Sequence, residues 1–101
     1  TRNARDGMLF TANGTMNIKN KKWEDDFSPV DEMGHTFVDT EYTKAYLRHL
    51  FAANEYLGKQ IATIHNLGFY MWLVREARKH ILAGDFRTWK DMMVRNMSQR
   101  L

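Results

Sequence analysis

From Asp39 to the C-terminus the apolar residues recur with helical period, and no other feature restricts the fold of this chain as much. Asp39 or Thr40 can cap a first helix running to about Asn54. Along it Tyr42, Ala45, Tyr46, His49, Leu50 and Ala53 fall on one face. Gly58 marks a break, and a second helix is predicted from about Lys59 to Ala83. Its stripe is Ile61, Ile64, Leu67, Met71, Val74, Ala77 and Ile81, with Arg75, Glu76, Arg78 and Lys79 on the polar side. Gly84 stands where a left-handed C-terminal cap belongs, after Arg78, Lys79 and His80, which suit the negative end of the helix dipole. Asp85 can cap a third helix over about Phe86–Asn96, with Phe86, Trp89, Met93 and Met97 as its apolar side.

The front third follows different rules. Residues 8–19 read as a β-hairpin: Met8-Leu9-Phe10-Thr11, the turn dipeptide Asn13-Gly14, then alternating Thr15 to Lys19 with Met16 and Ile18 on one face. An isolated hairpin is marginal in water, so this one must pack on something. Asn20 to Asp39 is loop-like, broken by Ser28-Pro29 and Gly34, with Trp23, Phe27, Val30 and Phe37 expected to pin it to a core. The expected fold is thus α+β and mainly helical. A hairpin and loop (1–38) precede three helices (39–101).

With 101 residues, 44% of them hydrophobic and 13% aromatic, the chain can bury a modest core and is not a disordered segment. The absence of cysteine excludes a disulfide scaffold, a cysteine zinc finger, an iron–sulfur cluster and thiol catalysis, and fits a reducing compartment. No apolar run approaches the roughly 18 residues that would span a bilayer. The N-terminus has neither an initiator Met nor a signal-peptide core, so the chain is expected to be cut from something longer. Charge is uneven. Residues 1–50 carry seven basic and eight acidic side chains, residues 51–101 eight and four. A basic half is compatible with a polyanionic partner, although from charge alone a solvated helical surface is the plainer reading.

Few side chains suggest chemistry. Arg2 and Arg5, three residues apart, could grip a phosphate or a base edge, or simply be solvated. A lone helical His65 beside an apolar stripe reads first as a hydrogen-bonded, partly buried residue. His35 and Asp39, with Asp31 and Glu32 nearby, have spacing that a divalent ion could use. Asp25-Asp26 and Asp31-Glu32 lie in a polar loop and read as solvated charges rather than an acid–base pair. There is no glycine-rich phosphate loop and no Gly-x-Ser-x-Gly elbow. The residues alone offer no catalytic constellation.

The order of motifs is more specific than any one of them. Thr1-Arg2-Asn3-Ala4-Arg5-Asp6-Gly7 leads into Leu9-Phe10-Thr11, Met16-Asn17-Ile18-Lys19-Asn20 and Asp25-Asp26-Phe27-Ser28-Pro29. Then come Tyr42-Thr43-Lys44-Ala45-Tyr46-Leu47-Arg48-His49-Leu50-Phe51 and Ala62-Thr63-Ile64-His65-Asn66-Leu67. This set resembles the C-terminal portion of the bacterial queuine tRNA-ribosyltransferases, the tRNA-guanine transglycosylases, from Thr1 to about Phe86 and more loosely beyond. The resemblance implies an irregular (β/α)8 barrel with a zinc-binding insertion near its C-terminal end. It implies a cytoplasmic, homodimeric glycosyltransferase of queuosine biosynthesis, with no membrane partner. Such an enzyme exchanges the wobble guanine of tRNAs with a GUN anticodon for 7-aminomethyl-7-deazaguanine. An Asp nucleophile attacks the ribose anomeric carbon, and a covalent tRNA–enzyme intermediate forms. In the family that Asp stands in an Asp-Cys-Val-x-Pro segment just before Thr-Arg-Asn-Ala-Arg, so it would lie outside this chain, which alone would be inactive.

By position, Arg2 and Arg5 match two arginines that contact the anticodon around the wobble base, while Asp6 stands where Asn is common. The zinc pattern, Cys-x-Cys-x-x-Cys and a later His, falls on Gly34, Thr36, Asp39 and His65. Three of the four ligands are replaced, so the metal is expected to be lost and no cofactor remains. Packing of Trp23, Phe37, Val38 and Tyr42 would then hold the region. Two other readings stay open. One is a stand-alone helical RNA-binding or protein-interaction module without catalysis. The other is a relative acting on DNA or on archaeal-type tRNA positions.

Overall fold

The computed structural model describes residues 2–101, and its longest element sets its shape. Eight elements follow in order: α1 (Arg2–Arg5), β1 (Met8–Thr11), β2 (Gly14–Asn17), a 3₁₀ turn (Lys21–Trp23), α2 (Phe37–Glu41), α3 (Lys44–Ala52), α4 (Tyr56–Ala83) and α5 (Phe86–Met97). Twenty-eight residues of α4 span about 42 Å at 1.5 Å per residue, close to the molecule's longest dimension of 46 Å. The architecture is mostly helical, with one two-stranded antiparallel hairpin and five α-helices.

The hairpin forms where expected, but its turn does not. Thr11 pairs with Gly14, which leaves Ala12 and Asn13 as the turn residues rather than Asn13-Gly14. The buried Thr11 hydroxyl donates to the Gly14 carbonyl (2.8 Å) and accepts from the Asn13 N–H (3.2 Å), bracing the turn from inside. Gly14 is needed instead for close approach, because a Cβ there would lie 2.6 Å from the Gln99 carbonyl oxygen. The C-terminal tail runs along β2 at this point: the Thr15 N–H donates to Gln99 (2.8 Å) and the Leu101 N–H to Thr15 (2.9 Å).

The structure departs from the expected elements at several places along the chain. Arg2–Arg5 is a turn of helix, closed by the Asp6 and Gly7 N–H groups on the Arg2, Asn3 and Ala4 carbonyls. The first long helix is two helices, because Tyr42 is extended between them and Thr43, not Asp39, caps α3 by accepting the Tyr46 N–H (3.1 Å). That helix ends at Ala52. Asn54 takes a left-handed φ of 55°, and the Glu55 N–H returns to the Leu50 carbonyl (2.8 Å), closing a Schellman-type end. Gly58 does not break the chain; it lies buried in α4, pressed against Leu50 and Phe51 of α3. Finally, Phe27 and Phe37 are exposed rather than pinning the loop. In α2, Val38 and Asp39 take the inward side. Around Phe27, the carboxylate of Asp26 accepts the Ser28 N–H and hydroxyl, turning the backbone so that the ring faces out. Trp23 and Val30 are buried as expected.

The core lies between the inner hairpin face (Leu9, Met16, Ile18), α3 (Leu47, Leu50) and the first half of α4 (Ile61, Ala62). The buried face of α4 is Gly58, Ile61, Ala62, His65, Asn66 and Phe69. Of the predicted stripe it keeps only Ile61: Ile64, Leu67, Met71, Val74 and Ile81 all face outward. The cause is the open edge of β1. Asn66 accepts the Phe10 N–H (3.1 Å) and donates to the Met8 carbonyl (2.8 Å), and His65 Nε2 reaches the Phe10 carbonyl (2.9 Å). Polar side chains are drawn inside because unpaired strand groups need partners there. Beyond Phe69, α4 continues past the core. Gly84 turns the chain at φ 82° as expected, and α5 packs back with Trp89 and Met93 buried. Asp85 does not cap α5 through its side chain, which instead meets His80 Nδ1 (2.8 Å) while the His80 ring stacks on Trp89.

Candidate nucleic-acid interface

Arg2 and Arg5 sit on α1, three residues apart on a single turn. Ala4 between them is fully buried, so the turn is fastened by its small side chain while both guanidiniums project to solvent. The Ile18 N–H donates to the Gly7 carbonyl (2.9 Å), tying the end of α1 to the hairpin. Among the described residues, neither arginine lies within 4.0 Å of a carboxylate. Arg5 borders a hollow of about 560 Å³ whose other walls come from the first turns of α4, Tyr56 to Ile64. Nothing local in the sequence around Arg5 announces α4 as its neighbour, since the two are joined only by the fold.

Behind this face lies a buried polar cluster at the expected metal positions. His65 and Asp39 are both fully buried, with Nδ1 and Oδ1 2.6 Å apart. Asp39 Oδ2 accepts the Thr36 N–H (3.2 Å). The Phe10 carbonyl can only accept, so His65 Nε2 carries a hydrogen, and Nδ1 and Asp39 Oδ1 share a second one. Burial works against the charged ring. The hydrogen bond and charge of Asp39, the Phe10 carbonyl and the charge of Asp31 outweigh it and hold the His65 pKa above the usual imidazole value. Asp31 joins the group: its N–H donates to the Asp39 carbonyl (3.2 Å) and its Oδ1 accepts the Met33 N–H (3.0 Å).

One ligand atom from each of Asp31, Asp39 and His65 falls within 4.8 Å of the others. The donor set nevertheless suits a proton better than zinc. Gly34 is exposed and offers no side-chain donor, Thr36 offers a hydroxyl in place of a thiolate, and both His65 nitrogens are engaged. His35 is separate from the pair. Its Nε2 stands 4.0 Å from Asp31 Oδ2, and its ring packs on Phe69 and Trp72. Asp25 and Glu32 are exposed, as the reading of solvated charges expects, but Asp26 is half-buried and held by Ser28, and Asp31 is buried, because the backbone turns each carboxylate onto nearby N–H groups. Gly68 faces this cluster from α4, and a Cβ there would lie 2.1 Å from Thr36 Cγ2, so only glycine lets the segment 34–39 sit so close to the helix.

Residues 1–99 match the family model described as queuine tRNA-ribosyltransferase. The chain is 41% identical over its whole length to a queuine tRNA-ribosyltransferase of Aquifex aeolicus, covering 27% of that protein. It is 46% identical over 90 residues to one of Bacillus subtilis, covering 86% of this chain and 24% of that protein. It is 44% identical over 89 residues to one of Thioalkalivibrio sulfidiphilus, covering 88% of this chain and 24% of that protein. The chain therefore belongs to the queuine tRNA-ribosyltransferase family, and it spans about a quarter of the length of these curated relatives. Among the described residues, no helix is long and apolar enough to cross a membrane.

Proposed function

We propose that this chain is the C-terminal portion of a bacterial tRNA-guanine transglycosylase, a cytoplasmic pentosyltransferase of queuosine biosynthesis. The whole enzyme would exchange the wobble guanine of GUN-anticodon tRNAs for 7-aminomethyl-7-deazaguanine. The family match over residues 1–99 carries this reading. The catalytic Asp and the base pocket lie upstream, in the rest of a (β/α)8 barrel, so this chain alone does not catalyse the exchange. Residues 1–38 supply the hairpin and loop behind the catalytic strand, and 39–101 supply the helical subdomain.

The chain's own share is contact with tRNA and with other protein. Arg2 and Arg5 grip the anticodon around the wobble base, a role supported by their exposure on an anchored turn and their freedom from carboxylates. The outward stripe of α4 beyond the hollow beside Arg5, Leu67, Met71 and Val74, is covered by the remaining barrel or by the second subunit of a homodimer. The Asp39–His65 ion pair takes the place of the family's zinc. Metal analysis after dialysis tests this, and a tightly held stoichiometric zinc overturns it.

The main test is guanine exchange by the full-length enzyme. Arg2→Ala and Arg5→Ala should each lower kcat/KM by at least about fivefold, from roughly 1–3 kcal/mol per base contact. Unchanged exchange in both removes the assigned role. A start codon directly before Thr1 would instead favour the stand-alone RNA-binding or interaction module, and an upstream Asp-Cys-Val-x-Pro segment would defeat it.

A further inference from the structure

Three separate segments, α1, the stretch after β2 and the first turn of α4, bring cations to one concave surface. The 560 Å³ hollow beside Arg5 is lined by Tyr56, Lys59, Gln60, Thr63 and Ile64. A second hollow of about 120 Å³ is lined by Arg5, Lys19, Phe51, Asn54, Glu55 and Lys59. Arg5 and Lys59 border both, so the two form one continuous depression. Among the described residues, Arg5, Lys19 and Lys59 all lie more than 4.0 Å from any carboxylate. The one acidic side chain on the rim is Glu55, against three cations. Like charges gathered in a concavity repel one another unless an anion enters. At its edge Tyr56 is 71% exposed, a large ring with no packing partner on its outer face. Gln60 and Thr63 also line the hollow and add neutral hydrogen-bonding groups.

We propose that this depression binds the RNA strand flanking the nucleotides held by Arg2 and Arg5, with Lys19 and Lys59 on backbone phosphates and Tyr56 stacked on a base. The inference rests on the tRNA reading above and adds to it residues outside the Thr-Arg-Asn-Ala-Arg motif. A cationic trough with an aromatic at its edge suits a single strand better than a duplex. Phosphates supply affinity without sequence information, while the ring accepts any base. A sulfate-sized anion would need only the cations and would leave Tyr56 without a role.

The test is binding of the full-length protein to an anticodon stem-loop RNA with a GUN anticodon, and to the same RNA with the wobble guanine replaced by adenine. Fluorescence anisotropy is read at several salt concentrations. Lys19→Ala and Lys59→Met should weaken both RNAs alike, about three- to tenfold. Each should also lower the salt slope by about one. Lys59→Met keeps the aliphatic stem and so guards against a folding defect. Tyr56→Ala should weaken binding about tenfold, with Tyr56→Phe restoring it. Lys90→Ala on α5, away from the depression, should bind as wild type. If Arg2→Ala weakens binding while the Lys19, Lys59 and Tyr56 variants bind as wild type, the inference falls and the tRNA reading stands. If Lys90→Ala weakens binding as much as Lys59→Met does, attraction is diffuse and the inference also falls. Failure of the wild type to bind either RNA overturns both.

Discussion

Asp39 and His65 are the residues on which the interior depends most. The fully buried His65 ring lies 2.6 Å from the Asp39 carboxyl, and the Phe10 carbonyl accepts its second N–H. Removing one charge leaves the other unpaired in a dry site. Asp39→Asn should therefore cost about 3–5 kcal/mol in urea unfolding. The pair also sets a pH dependence. The folded pKa of His65 lies above its unfolded value of about 6.5, so the native state binds more protons between the two. The stabilisation is complete below pH of about 6.5 and is lost as pH rises through the folded value, at up to about 1.4 kcal/mol per pH unit. Unfolding free energies across that interval should fall with rising pH in the wild type, and the slope should flatten in His65→Gln. An identical slope in both would mean another group titrates. The family resemblance brings Asp39 and His65 to one place in the fold, whereas the residues alone pair Asp39 with His35. Their contact was not legible in the sequence, because it depends on where β1 puts the Phe10 carbonyl.

At the scale of elements, α4 decides the outcome. Its amphipathic stripe is legible, yet beyond Ile61 the helix lies with that stripe outward. Period and hydrophobicity identify an apolar face but do not say which face an adjoining strand edge will claim. Here β1 needs partners for three backbone groups, and only the His65 and Asn66 side carries them. The same close packing makes Gly68 indispensable. Gly68→Ala should cost about 1–3 kcal/mol by overpacking against Thr36, measured by thermal or urea unfolding. Thr36→Ser removes the clashing methyl and should recover part of that loss in the double variant. No recovery would place the strain elsewhere. The cap at Gly84 and the apolar side of α5 were readable because both follow from short-range chemistry. The break between α2 and α3 was not. It comes from pairing of Val30 with Tyr42, whose carbonyl accepts the Val30 N–H (3.0 Å) and holds Tyr42 extended.

For the molecule as a whole, large apolar side chains stay exposed along one helix and beside the next. Leu67, Met71 and Val74 run along one side of α4, and an apolar groove lies between α4 and α5, lined by Leu73, Ala77, Trp89 and Met93. The chain by itself should self-associate at micromolar concentration, seen as a mass above 12.0 kDa in light scattering. Leu67→Glu with Met71→Glu should return it to the monomer. A wild-type chain that stays monomeric would show that this face needs no cover. What the sequence determined alone was local or ordered along the chain: the hairpin, the helical remainder, the Gly84 cap and the run of motifs that marks the family. What only the tertiary structure decided was which side of α4 is inside, how Asp39 meets His65, and that Lys19, Tyr56 and Lys59 share a hollow with Arg5. Those are consequences of packing across long stretches of chain, where hydrogen-bond demand and close approach override the hydrophobic pattern of any single segment.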